Sequence, residues 1–426
     1  MQTPNIESRR SPGGVSRAKA DAVLWILAGV SIALLVYEAG TLITAVLLPL
    51  VENPNAIQTD FHYYYDAAVR FRGDRGRLYQ LSDDVIAGFA YPPPAILPFV
   101  PLSYLPLGAS LMLFTLGSYA ALLAAVIAWC RHLQQQGVAV DRRMRAAVCV
   151  IAMAFAPTYM NAVFGQVNAF VLACSVGFVA LLSRRPGTAG ALLAAGFWLK
   201  IYPVLTAVVG LWNRRAWRPL AFAVVASAAL ILITLLVIPW SAYVVFTGDV
   251  LPARFDKTAV HIANQSLLAF LERFALAPVQ FLNWTGEEAV TVAPALRALN
   301  WGIGVAVMAM LWRRAVHGPR VEAVDSTAGV VALAAVIAPL GWGHTFVFVL
   351  PLVILHLVSL HDARPTAKAI VGLCVAAMMI PATRRFSLVE QLMPWAQNLF
   401  YSRYLLAALV LIALPPAIAP YTDSRR

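Results

Sequence analysis

Long apolar runs broken by short basic clusters organise this chain. After a polar, basic start (Arg9, Arg10, Arg17, Lys19), an apolar run extends from Ala22 to Val51. A run of that length exceeds the apolar core of a signal peptide, so it predicts an uncleaved first helix, with residues 1–21 as a basic cytoplasmic N-terminus. Further runs predict spans near 108–130, 146–160, 169–183, 219–240, 291–312, 326–342, 345–360, 367–381 and 403–420. Between Arg185 and Arg214 the apolar stretch is too short for two full crossings, which need about forty residues, yet both basic flanks belong on one side. It therefore predicts two short segments meeting at Leu199-Lys200-Ile201-Tyr202-Pro203. Broken backbone at membrane depth is tolerated only where protein or a water-filled cavity surrounds it, which places Lys200 at a cavity floor.

The basic clusters Arg142-Arg143, Arg184-Arg185, Arg214-Arg215, Arg313-Arg314 and Arg425-Arg426 all fall on one face of this arrangement. The positive-inside rule makes that face cytoplasmic. Loops 52–107, 241–290 and 381–403 are then external. The expected fold is an all-α polytopic membrane protein, one domain over 1–426, with twelve membrane segments and outward loops forming a cavity. No internal repeat is visible, which weighs against the common transporter folds.

Composition agrees. Hydrophobic residues make up 61% of the chain and charged residues 12%, whereas a soluble domain carries about 25% charged residues. A soluble enzyme and a disordered chain are both excluded. The net charge of +12 reads as membrane topology, not as a nucleic-acid surface. Cys130, Cys149, Cys174 and Cys374 lie in apolar runs without metal-site spacing, so neither a disulfide nor a zinc or other metal site is expected.

Candidate chemistry gathers in the external segments. Asp60, directly after the first span among Tyr63, Tyr64 and Tyr65, suits a general base removing a proton from a sugar hydroxyl. It suits equally well an N-cap for the helix that follows. His344, in Gly-Trp-Gly-His at an external turn, suits phosphate binding or proton transfer, or a purely structural role. Lys200, Arg254, Lys257, His261, Arg384, Arg385 and Arg403 are cations on the wrong side for topology. A lipid-linked phosphate would account for them, with Lys200, His261, Arg254 and Arg384 as the donor-phosphate set; lipid headgroups are the alternative for the last loop. The amides Gln166, Asn168, Asn264 and Gln265, with Tyr64, suit sugar or acceptor recognition, or ordinary loop solvation. Asn264-Gln265-Ser266 and Asn283-Trp284-Thr285 match the weak glycosylation pattern, Asp83-Asp84 reads as a solvated loop, and Glu38 in the first span has no assigned role. The chain contains no Walker loop, no GxSxG and no external DxD, which excludes a soluble nucleotide-sugar transferase.

Asp60-Phe61-His62-Tyr63-Tyr64-Tyr65-Asp66-Ala67-Ala68, then Gly76-Arg77-Leu78-Tyr79, then Tyr91-Pro92-Pro93-Pro94, resembles the opening of glycosyltransferase family 87. Gly165-Gln166-Val167-Asn168, Lys200-Ile201-Tyr202-Pro203, Asn264-Gln265-Ser266 and His344 follow in the family's order. The resemblance implies a GT-C membrane fold and a polyprenyl-phosphate-mannose-dependent α-mannosyltransferase, with Asp60 as catalytic base and no cofactor beyond the donor substrate. Within the family the chain looks most like the α-1,2-mannosyltransferases of phosphatidylinositol mannoside synthesis, with a lipomannan-branching enzyme as the alternative. The implied partners are polyprenyl-phosphate-mannose, a glycolipid acceptor and the bilayer, at the outer face of the plasma membrane. A lipid-linked-sugar flippase is a competing class, but it predicts ionisable residues along a path through the bilayer, whereas here they gather on one side. An O-antigen-ligase-like enzyme is another, disfavoured by the early Asp60 and the Tyr-Pro-Pro-Pro element.

Overall fold

The computed structural model describes residues 21–53, 57, 59–79, 88–283 and 289–416. The N-terminal cations up to Lys19, Asp83-Asp84, Trp284-Thr285 and Arg425-Arg426 lie outside the described residues.

The apolar runs fold as helices, because in hydrocarbon every backbone N–H and C=O must be bonded within the segment. Five described helices are long and apolar enough to cross a bilayer: Ala22–Glu52, Leu107–Gln135, Arg214–Thr234, Pro294–His317 and Gly343–Asp362. Two bent pairs, Arg142–Met153 with Ala156–Phe164 (48°) and Pro394–Tyr401 with Arg403–Ala413 (63°), bring the number to seven if each pair is one span. Twelve crossings are therefore not seen among the described residues. Asn168–Leu181, Pro186–Leu199 and Pro365–Met378 are apolar but short, and the stretch expected at 326–342 is the buried helix Arg320–Ile337. An apolar run reads the same whether it crosses lipid or packs, half-length, inside the protein.

Position in the bundle follows composition. The segment Gly343–Asp362 is wholly enclosed by other helices, whereas Arg214–Thr234 and Pro294–His317 turn most of their apolar surface outward. Val224, Val225 and Val305 are exposed there, which costs nothing against lipid. Close helix approach uses a small residue: a Cβ on Gly190 would lie 2.4 Å from the Pro219 carbonyl oxygen, so Pro186–Leu199 packs backbone-to-backbone on Trp217–Thr234.

Two details position the site. The helix Pro186–Leu199 ends in front of an extended Lys200 (φ −162°, ψ 131°), and a 3₁₀ helix resumes at Tyr202–Leu211. The loop 241–290 is not purely helical: Lys257–Ala259 pairs antiparallel with Ala289–Thr291, Thr258 opposite Val290. This ribbon and an isolated antiparallel bridge between Asn264 and Trp342 depart from the all-α expectation. The ribbon lies beside a dense network of buried polar groups. Arg273 donates from Nε to Asn398 Oδ1 (2.8 Å), from Nη1 to the Asn264 carbonyl (2.8 Å) and from Nη2 to Ser402 Oγ (2.8 Å). Gln265 donates to the Tyr401 carbonyl (2.7 Å) and accepts from the Tyr404 N–H (3.0 Å). The stretches 264–273 and 398–404 are thereby fastened together.

Candidate active site

Three distant stretches of chain meet around Asp60. The helix Asp60–Gly73 is capped by Thr59, whose backbone N–H donates to His62 Nδ1 (3.0 Å). Asp60 is therefore the first helical residue and not the cap, and its carboxylate remains available while still favoured by the positive end of the helix dipole.

The second stretch arrives through a glycine. The helix Ala156–Phe164 ends at Gly165 in the left-handed conformation (φ 65°). A Cβ there would sit 2.6 Å from Phe61 Cβ, so both the backbone and the space demand glycine. This close approach brings Gln166 onto Asp60. Residues 161–164 belong to the helix, so only residues 165–167 separate Ala156–Phe164 from Asn168–Leu181.

The third stretch is the start of the enclosed segment, where the 3₁₀ turn Gly343–Val349 carries His344. Gln265 N–H bonds to the Gly341 carbonyl (2.8 Å) and Gly343 N–H to the Ala263 carbonyl (2.7 Å), holding this turn against residues 263–265.

The resulting geometry is tight. Gln166 Nε2 donates to Asp60 Oδ2 at 2.5 Å. The Tyr64 and Tyr91 hydroxyls, 2.6 Å apart, lie 3.0 and 3.2 Å from Gln166 Oε1, which fixes the amide with its N–H side toward the carboxylate. His344 Nε2 stands 3.8 Å from Asp60 Oδ2. Lys200 Nζ donates to Asn168 Oδ1 (2.8 Å), and Asn168 Nδ2 donates to His344 Nδ1 (2.9 Å). The Lys200 ammonium also lies 5.8 and 5.3 Å from the ring centres of Tyr91 and Tyr202, within cation–π range.

These groups surround a cavity of about 690 Å³. Asp60, Tyr64, Gln166, Lys200 and His344 line it, and Arg254 and His261 line it from the loop 241–290. Val204, Leu205, Trp301, Ile337 and Leu340 form an apolar wall. Among the described residues lining the cavity, Asp60 is the only carboxylate. Burial pushes its pKa above the ordinary carboxylate value, opposed by the Gln166 hydrogen bond and the positive charges of Lys200 and Arg254. Burial also pushes the Tyr91 hydroxyl up to about 12, so it stays a neutral donor.

Not every expected site residue reaches the cavity. Asn168 is fully buried behind His344. Asn264 and Gln265 are fully buried too, spent on backbone groups: Asn264 Nδ2 donates to the Ala259 carbonyl (2.8 Å) and its Oδ1 accepts from Ser266 N–H (3.1 Å). Arg384 is exposed next to the cavity-lining Thr383. Arg385 pairs with Glu390 (2.6 Å), and Arg403 bonds the Pro381 carbonyl. Tyr91, Tyr202 and Trp342 line the cavity without having been assigned a role from sequence; the signal for the first two was an aromatic residue within a motif that also carries a cation or a proline turn.

Comparison with known proteins identifies the family of the chain. The sequence profile of glycosyltransferase family 87 matches residues 89–339. A polyprenol-phosphate-mannose-dependent alpha-(1-2)-phosphatidylinositol pentamannoside mannosyltransferase of Mycolicibacterium smegmatis is 28% identical over 323 residues, 72% of each chain. An enzyme of the same description from Mycobacterium tuberculosis is 27% identical over 321 residues, 72% of this chain and 68% of the relative.

Proposed function

The chain belongs to glycosyltransferase family 87, and from that premise we propose that it transfers mannose from polyprenyl-phosphate-mannose to a phosphatidylinositol mannoside, forming an α-1,2 linkage at the outer face of the membrane. The observation that carries the reading is the Asp60 carboxylate, gripped by Gln166 at 2.5 Å and facing His344 at 3.8 Å, in a cavity whose other wall is apolar. A polar end with one base beside an apolar wall matches a substrate with a sugar phosphate on a polyprenyl chain.

Asp60 takes the proton from the acceptor 2-hydroxyl as its oxygen attacks the anomeric carbon of β-linked mannosyl phosphate. The carbon–oxygen bond to phosphate breaks, and its electron pair leaves on polyprenyl phosphate. One carboxylate is enough: phosphate needs no general acid, and a single displacement inverts the β-linked sugar to α. His344 and Lys200, with Arg254 and His261 also lining the cavity, stabilise the charge developing on the departing phosphate. Tyr64 and Gln166 hold the base and border the space for the sugar. Lipomannan branching uses the same chemistry on a larger acceptor.

The test is direct. Purified protein incubated with radiolabelled polyprenyl-phosphate-mannose and phosphatidylinositol mannosides should yield an elongated glycolipid whose new mannose is released by an α-1,2-mannosidase. Donor binding without transfer to any mannosyl acceptor would overturn the reading in favour of lipid transport.

A further inference from the structure

We propose that Asn168 is a positioning residue that sets the tautomer of His344, holding the ring neutral with its proton on Nε2, the nitrogen that faces Asp60. Hydrogen-bond polarity alone carries the argument. Lys200 Nζ has only hydrogens to offer, so the Asn168 atom 2.8 Å from it is the carbonyl oxygen Oδ1. That fixes the other end of the amide. Asn168 Nδ2, which can only donate, then lies 2.9 Å from His344 Nδ1, and Nδ1 must present a lone pair. A neutral imidazole carries one proton, so it sits on Nε2.

The environment leaves the ring little room to do otherwise. Asn168 is fully buried at the first position of the helix Asn168–Leu181. Its Nδ2 also reaches the His344 carbonyl (3.4 Å), and the Phe164 ring meets the imidazole edge-on at 6.0 Å. Thr345 Oγ1, at 3.5 Å from Nδ1, is the other polar group at that nitrogen. The Lys200 charge thus acts at two removes, through one amide and one ring, on an Nε2–H group whose nitrogen lies 3.8 Å from Asp60 Oδ2.

The consequence is specific. His344 offers the cavity a hydrogen-bond donor and not a base, so deprotonation falls to Asp60 alone. With the opposite tautomer, a nitrogen lone pair would face both the carboxylate and any phosphate oxygen, which repels the charge that the site must stabilise. The catalytic part of this role rests on the mannosyl-transfer reading; the tautomer does not.

The experiment is nuclear magnetic resonance of ¹⁵N,¹³C-histidine-labelled protein in detergent, with His344→Ala to assign its signal among the seven histidines. Wild type should show His344 protonated at Nε2 only. Asn168→Asp keeps size and gives Lys200 a carboxylate, but an acceptor-only group now faces Nδ1, so Nδ1 should become protonated. Activity of that variant should fall about 100-fold in kcat, the cost of losing one charge-stabilising donor, with KM for the donor changed by less than about threefold. A merely structural Asn168 would lower the yield of folded protein and leave the tautomer and kcat of the folded fraction unchanged. A wild-type His344 protonated at Nδ1, or an unaltered tautomer in Asn168→Asp, overturns the proposal. Absence of transfer by wild type would instead sink the functional reading, since the spectroscopic result is independent of it.

Discussion

Gln166 Nε2 and Asp60 Oδ2 lie 2.5 Å apart although the two residues are 106 positions apart in the chain. The tyrosine pair Tyr64 and Tyr91 on the far side of the amide makes this contact one-directional. A hydrogen bond to the charged form lowers a carboxylate's pKa, so Gln166, together with the Lys200 and Arg254 charges, helps to keep a buried base ionisable.

Gln166→Glu replaces that donor with an acceptor of like charge. Asp60 should then hold its proton to higher pH, and transfer near neutral pH should fall by at least about 100-fold, the scale of a lost general base. Part of the loss should return as pH rises. A pH–rate profile checks it; an unchanged acid limb would show that Gln166 does not bear on the base.

Wild-type activity should itself show a shifted acid limb. Burial raises the Asp60 pKa, and the base must be ionised, so kcat/KM declines as pH falls through that raised value, above the 3.8 of an ordinary Asp. The stability sign is opposite. A carboxyl whose pKa is raised on folding favours the native state below its unfolded pKa, and that contribution is lost as pH rises through the folded value. Above that folded value the ionised Asp60 is therefore a burden, and Asp60→Asn should melt no lower than wild type, and higher where the fold is at its alkaline limit. Differential scanning fluorimetry in detergent measures this.

How much of this was legible in the sequence varies with the kind of signal. The break at Lys200 was readable because two basic flanks with too few apolar residues between them admit few solutions. Asp60 and His344 stood out as polar residues next to apolar runs. Asn264 and Gln265 did not reveal their direction: an amide reads the same whether it faces a sugar or, as here, the Ala259 and Tyr401 carbonyls. Thr59 and His62 share the capping in a pattern that made Asp60 look like the cap. Half-length helices such as Asn168–Leu181 inflated the expected number of crossings, since hydropathy does not report what an apolar helix is packed against.

Arg273 is fully buried and forms no salt bridge among the described residues, and burial pushes its pKa down to about 9. Five oxygen acceptors hold it, from Val260, His261, Asn264, Asn398 and Ser402. Arg273→Met should cost about 3 kcal/mol or more, since hydrogen bonds to a charged group are worth about 1.5–3 kcal/mol each and their partners would be left bare. The loss appears as a lower melting temperature; a melting temperature equal to wild type would show the network to be dispensable.

Val204 is half exposed and lines the apolar wall with Trp301. Val204→Asp should raise KM for a long-chain polyprenyl donor by about tenfold, equivalent to losing the burial of one valine side chain, about 1.5 kcal/mol. A donor truncated to a few carbons should be unaffected. Equal effects on both donors would place the lipid chain elsewhere.

The most direct test of the account is transfer by Asp60→Asn, an isosteric change that keeps the Gln166 contact and removes only the base. Folded, donor-binding Asp60→Asn protein should transfer mannose at least about 10³-fold more slowly than wild type at every pH, within the range of a positioned general base. Transfer within about tenfold of wild type, from protein that melts normally, would contradict the assignment of Asp60 as the base.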